Sequence, residues 1–452
     1  MKRFQPREGF YRNLSLLVVP IVIQNLIASS VTMADVVMLG RVDQTVLSGS
    51  SLAGQVQFLL NVVYFGIASA VTILASQYWG KGDTKTIGRI LGIGLIISLI
   101  FSLPATLLCA FLPEYVIRIW TNSPELIDAG ARYLHYVALS YLFAGLVEPY
   151  LAILKSCERV RFTTMISAVT LLLNVFLNAI LIFGLPGLPA LGIKGAALAT
   201  TISRGVELFV CIADFYRQKI IPVSLKVIFS IPRSLISDFV RYSLPAFIND
   251  AMWGLAFNMN SVIMGRLGSD IVAASSVVTV ARDLVTTVGF AIASGASILL
   301  GKEIGEGNLE RARDDASSIM RLSFRVSLIQ GLVLLAFSPV IPHFVKISDT
   351  AVSYLKVMLY ISVIYQIGQI INTVLIASLF RCGGDSRYGM TLDIISMWAV
   401  SVPLGLISAF VLKLPPLTVY ILTCTDEFVK MPFALYHYKK GNWIKNLTRD
   451  FS

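Results

Sequence analysis

Residues 25–41 read NLIASSVTMADVVMLGR, an apolar helical run with a carboxylate, Asp35, set well inside it. An ionised Asp at the centre of a membrane span costs about 2.5–3.5 kcal/mol on insertion scales, so the reading of this stretch depends on what surrounds it. The rest of the chain has the composition of a membrane protein. Of 452 residues, 56% are hydrophobic and 14% are charged, against about 25% charged in soluble domains, and the mean hydropathy is +0.76. Stretches of about 20 apolar residues, long enough to cross a ~30 Å hydrocarbon core, recur throughout. Twelve spans are expected, at 14–40, 46–77, 90–112, 131–154, 162–184, 193–216, 236–265, 271–301, 318–341, 352–380, 390–412 and 416–437. The first is too long for a signal peptide and lacks a small-residue cleavage pattern.

A net charge of +11 would suit nucleic acid, but its distribution follows topology instead. Lys2, Arg3, Lys81, Lys85, Arg159, Arg161, Lys439 and Lys440 fall on one side of a twelve-span chain, and the opposite loops hold few cations, among them Arg41, Arg118, Arg266 and Lys413. The positive-inside rule puts both termini in the cytoplasm, in a multi-pass protein of the cell membrane. No nucleic-acid partner is expected. Cys109, Cys157, Cys211, Cys382 and Cys424 are scattered, without a CxxC pair, and His135, His343 and His437 lie far apart. This reads as small apolar fillers, with neither a disulfide framework nor a metal site.

The stretch around Asp35 has a counterpart. Shifted by 225 residues, Pro20–Asp83 aligns without a gap on Pro245–Asn308. MLGR (38–41) lies over IMGR (263–266), FGIASA (65–70) over FAIASG (290–295) and GKGD (80–83) over GEGN (305–308). Two six-span halves follow, 1–216 and 236–437, joined by a basic linker at 217–235 and trailed by a cytoplasmic tail at 438–452. Both halves start from the same side, so the repeat is parallel. Paired repeats of this kind build alternating-access transporters, with the binding site near the midplane. The expected fold is an all-α integral membrane protein, twelve helices in two pseudo-symmetric six-helix bundles.

Within that frame the polar residues inside spans become site candidates. Asp35 either snorkels beneath Arg41 or faces an interior cavity where it titrates or holds a cation. Asn174 and Asn178, spaced i and i+4, share one face of the fifth span. Pro20, fifteen residues before Asp35, removes a backbone donor and lets the first span bend, which makes it a candidate hinge. In the second half Asn260 stands where Asp35 does in the first, while Asp250 matches Asn25; Asn249 and Asp250 are a candidate second ion site. Glu148 is a cavity-lining candidate. Arg204 with Glu207, and Glu427 with Lys430, read as structural ion pairs, and Asp393 as an acid near the cytoplasmic surface. No nucleophile constellation, phosphate loop or HExxH occurs, and GKGD lacks the Walker spacing. An enzyme is not expected, nor a cofactor beyond a coupling ion, H⁺ or Na⁺.

These segments resemble the multidrug and toxic compound extrusion transporters, over essentially the whole chain. The resemblance rests on Pro20, Asp35 and MLGR in the first span, GKGD after the second, NVFLNAILIFG (174–184) and LGIKGAALAT (191–200). In the second half LPAFINDAMWGL (244–255), FRCGGDSRYG (380–389) and MWAVSVPLG (397–405) are similar to a Firmicutes-type group of that family. The resemblance implies a V-shaped cavity opening alternately to each side of the bilayer; a monomer is expected, though the sequence itself leaves the oligomeric state open. It implies antiport, in which H⁺ or Na⁺ enters as an amphipathic, often cationic, organic compound leaves. It also implies Asp35 as the main coupling residue, assisted by Asn174, Asn178 and Thr200. Many relatives have Asp where this chain has Asn178, which leaves one carboxylate here and favours protons. A lipid-linked oligosaccharide flippase of the same superfamily is the alternative, and an intramembrane enzyme is a third reading.

Overall fold

The computed structural model describes residues 9–41, 44–184, 189–218, 221, 224, 226, 230–345 and 347–450, and the regular structure among them is helical throughout. Lys2, Arg3 and much of the expected linker 217–235 lie outside the described residues. In chain order the long helices are α1 (Phe10–Gly40), α2 (Gln44–Lys81), α3 (Thr84–Phe111), α4 (Pro124–Ser156), α5 (Val160–Phe183) and α6 (Ile193–Arg217). They continue with α7 (Arg233–Gly265), α8 (Ser269–Gly305), α9 (Leu309–Phe337), α10 (Asp349–Thr373) and α11 (Ser386–Ile394). The last span divides into α12 (Pro416–Thr423) and α13 (Asp426–Lys440). α10 and α11 run on through wider π-helical turns, Val374–Phe380 and Ile395–Ser401.

Ten helices among the described residues are long and apolar enough to cross a membrane. The segments expected as spans seven and twelve are helical as well, but less apolar. α7 carries Asn249, Asp250, Asn258 and Asn260 along its middle. The twelfth is interrupted at Cys424 and Thr425, and α13 opens with Asp426, Glu427 and Lys430.

The helices are amphipathic in the reverse sense to those of a soluble protein. On α5, Thr163, Ser167, Thr170, Asn174 and Asn178 are buried, while Met165, Val169, Leu172 and Phe176 are each more than half exposed. α3 repeats the pattern, with Ser98, Ser102 and Thr106 inside and Ile96, Ile100, Leu103 and Leu107 outside. Water would strip such apolar faces into aggregates. A hydrocarbon solvent accepts them, and it leaves the polar stripe to find partners within the bundle.

The chain forms two compact units. One is Ile23–Ser237; the other is Asp238–Asp450 together with the start of α1 as far as Val22. This differs from a first half beginning at residue 1, and the cause is local. Leu14, Leu17 and Val18 pack onto α8 at Gly295, where a Cβ would lie 2.9 Å from a Val18 methyl. α1 therefore passes from one unit to the other two residues beyond Pro20, and it stays helical through that proline. Inside each unit the packing repeats. α4 lies against α2, α3 and α6, and its counterpart α10 lies against α8, α9 and α13. In the first unit the Ser98 hydroxyl donates to the Gly145 carbonyl at 2.6 Å; in the second the Gln366 amide donates to the Ser327 carbonyl at 3.0 Å.

Candidate functional site

Two polar clips join α1 to α5. The Gln24 amide donates to Ser167 Oγ at 3.0 Å, and the Asn178 amide donates to Asp35 Oδ1 at 2.6 Å. The clips are eleven residues apart on both helices, so α1 and α5 run side by side in the same direction, as first and fifth spans must. From Asn178 the bonding continues. Its Nδ2 also donates to Asn174 Oδ1 at 3.2 Å, Asn174 Nδ2 donates to Thr200 Oγ1 at 3.4 Å, and Thr200 donates to the Ala196 carbonyl at 3.1 Å. Asp35, Asn178, Asn174 and Thr200 thus form one hydrogen-bonded chain across α1, α5 and α6.

Thr200 reaches this chain because α6 comes very close to α5. A methyl on Gly195 would overlap the Leu181 backbone, and the amides of Leu191 and Gly192 bond the carbonyls of Leu181 and Ile182. Tyr133 of α4 adds a hydroxyl beside Thr200 and within electrostatic reach of Asp35, and its ring packs on Leu39, Ile182 and Ala196. Nothing in the spacing of the sequence marks this tyrosine.

The electrostatics of the site are unbalanced. Asp35 is half-buried and accepts from the Asn178 amide, and among the described residues no cation, Arg41 included, forms an ion pair with it. Asn178 is 2% exposed, and its Oδ1 is a buried acceptor without a donor. A carboxylate and an unmet amide oxygen on one face make a place for a positive charge, either a proton on the acid or a small cation.

The second unit uses its polar residues differently. Asn249 and Asp250 part company. Asp250 takes both nitrogens of Arg381, at 3.1 and 2.5 Å, while the Asn249 amide donates to Asp393 Oδ2 at 2.9 Å. Asp393, expected near the surface, is 7% exposed and accepts from Lys430 Nζ at 2.9 Å. Its helix packs it inward, against α7 and α13, despite the nearby Arg387. Lys430 also contacts Glu427 at 3.1 Å and Asp426 at 3.8 Å, and Asn372 donates to Glu427 at 2.8 Å. The Glu427–Lys430 pair is therefore one edge of a buried network with three carboxylates around a single ammonium. In the first unit Arg204 and Glu207 form the expected pair, at 2.7 Å.

Asn249 lies 225 residues after Gln24, the offset of the internal repeat. The Gln24–Ser167 and Asn249–Asp393 bonds are thus the same clip between first and fifth helices, neutral in one unit and charged in the other. Beside the charged clip, the second unit has a partly open pocket whose lining includes Trp253, Phe257, Asn260, Arg282, Tyr365 and Asp426. Trp253 and Phe257 stack at 5.9 Å on its wall.

Parallel-repeated helical units with apolar exteriors, and an uncompensated acid in a polar seam, define a membrane transporter. The family comparison agrees: the MatE family model matches residues 20–180 and 245–407, one match in each repeat. The chain belongs to the MatE family, and is a multi-pass membrane transporter, not an enzyme. It is similar to the uncharacterized transporter YisQ of Bacillus subtilis, at 22% identity over 91% of this chain and 90% of that protein. It is also similar to the probable multidrug resistance protein NorM of Thermotoga maritima, at 23% identity over 99% and 97%. Among solved structures, a mutant of the Vibrio cholerae MATE transporter VcmN superposes with a TM-score of 0.87, at 18% identity, covering 97% of this chain and 98% of that one.

Proposed function

We propose that this protein is a proton-coupled antiporter that exports amphipathic, often cationic, organic compounds across the cell membrane, with both termini in the cytoplasm. The observation that carries the coupling half is Asp35, a carboxylate within a membrane helix that, among the described residues, has no cationic partner and lies beside a buried, donorless oxygen of Asn178. An acid so placed is stable neutral when protonated, and charged only when something else compensates it. Binding of a cationic substrate and binding of a proton then become alternatives at one seam, which is the requirement for exchange. Asn178, Asn174, Thr200 and Tyr133 hold the acid in position, and Pro20, close to where α1 changes unit, is the hinge through which its charge state alters the helix.

Among the described residues the site has one carboxylate, and its nearest neighbour is an amide nitrogen donor, a poorer setting for a bare Na⁺ than for a proton. The substrate half rests on relatives named for multidrug resistance, such as NorM of Thermotoga maritima; the cationic excess of one side supports the placement of the termini. The protein works as a monomer of two six-span halves.

The test uses wild-type protein in proteoliposomes loaded with ethidium, with pH and Na⁺ gradients imposed separately. Efflux accelerated by the pH gradient alone is the expected result. Acceleration by Na⁺ alone would replace the proton with Na⁺ as coupling ion, and no response to either gradient would remove the antiport assignment.

A further inference from the structure

Among the described residues, the largest fully buried side chain lies in the segment after α13. Trp443, three residues past the end of α13, is 1% exposed, and Leu447 is 5% exposed. A free polar tail buries neither. Trp443 stacks on Tyr438 at 6.0 Å and lies 6.3 Å from the Phe380 ring. Its carbonyl and ring press on Gly383, where a methyl would overlap that carbonyl, and Leu447 covers Gly384, whose φ is +79°. The Lys445 amide bonds the Gly383 carbonyl at 2.9 Å, and Lys445 Nζ lies 3.4 Å from Asp385. The two glycines of FRCGGD thus leave the room in which the segment beds.

The segment also reaches α7. Arg449 Nη2 lies 2.9 Å from Asp238 Oδ1. Asp238 is 4% exposed, its other oxygen is a buried acceptor without a donor, and among the described residues Arg449 is the cation paired with it. A buried carboxylate at the start of α7 is compensated by the last residues of the chain. Twelve residues further along α7, Asp250 is held by Arg381, which sits in the turn that Trp443 and Leu447 cover.

We infer that residues 441–450 are a strap that positions α7 at two points, directly through Arg449 on Asp238 and indirectly by bracing the 380–385 turn whose Arg381 holds Asp250. On the proposed topology the strap lies on the cytoplasmic side of the second unit. Its effect on transport rests on the proposed antiport reading; its effect on α7 and the turn does not.

Cys382, fully buried in the braced turn, supplies a readout independent of transport. In full-length protein with the other four cysteines replaced by serine, labelling of Cys382 by a membrane-impermeant maleimide is followed in inside-out vesicles, alongside ethidium efflux. Arg449→Glu is expected to raise the labelling rate and lower the efflux rate by about tenfold each, since it leaves Asp238 buried beside a like charge. Asp238→Lys alone should act similarly, and Asp238→Lys with Arg449→Glu should restore both. Trp443→Ala should raise labelling further, by about a hundredfold. Unchanged labelling in Arg449→Glu and Trp443→Ala would overturn the strap. Raised labelling with normal efflux would overturn its role in positioning α7 for transport. If wild-type protein moves no ethidium, the antiport reading fails, and the labelling arm still decides whether the strap exists.

Discussion

At the scale of single residues, Asp35 and Lys430 show two solutions to the same problem of charge in a membrane bundle. Lys430 is a buried cation surrounded by Asp393, Glu427 and Asp426. Among the described residues, Asp35 is met by the Asn178 amide alone. Lys430→Met should therefore lower stability by about 3–5 kcal/mol, because it strands three carboxylates, and a melting curve in detergent measures it. Asn178→Ala should leave the melting temperature within a few degrees of wild type while cutting gradient-driven ethidium efflux by about tenfold, the cost of about 1.4 kcal/mol in positioning the acid. A large loss of stability with intact efflux would reverse that assignment. The first site was legible in the sequence because its members are few and patterned, with Asn174 and Asn178 one turn apart and Asp35 in a repeated motif. The partners of Asn249 and Asp250 were not. Asp393 and Arg381 are 144 and 131 residues away along the chain, and the basic loop around them reads as surface.

At the scale of helices, small residues decide which polar groups meet. Gly195 admits the Leu181 backbone and so brings Thr200 within 3.4 Å of Asn174. Gly195→Ala should push α6 away from α5 at a cost of about 1–3 kcal/mol. It should also lower efflux without changing any group in the hydrogen-bonded chain; a variant that melts and transports like wild type would show that the close approach is dispensable. The spans themselves were readable from apolar length, apart from the polarity of α7 and the break before α13. The inversion of α3 and α5, polar inside and apolar outside, follows from the same pattern once hydrocarbon is taken as the solvent. Helix-to-helix distances are not written in composition, so the closeness of α5 and α6 emerges only in three dimensions.

At the scale of the molecule, duplication supplied the scaffold and divergence supplied the chemistry. The α4 and α10 packing patterns repeat, and the Gln24 and Asn249 clips occupy the same place in each unit. One unit has a neutral clip and, among the described residues, an uncompensated acid beyond it; the other has a charged clip, with Asn260 at the acid's position. The repeat announced this plan in the sequence, because identical motifs recur at a constant offset. It did not announce that the first turns of α1 pack with the second unit, or that the segment after α13 is structural. The first depends on Gly295 meeting Val18, and the second on Gly383 and Gly384 meeting Trp443 and Leu447, pairings between residues remote in the chain.

The most direct test of the role of Asp35 is the Asp35→Asn variant in proteoliposomes under an imposed pH gradient, beside wild type reconstituted at equal density and with an equal melting temperature. Asn keeps the size and much of the hydrogen bonding of the acid but cannot exchange a proton. Loss of uphill ethidium efflux in a folded variant is the expected result. Gradient-driven efflux at the wild-type rate would contradict it, and would move the coupling chemistry to the charged network of the second unit.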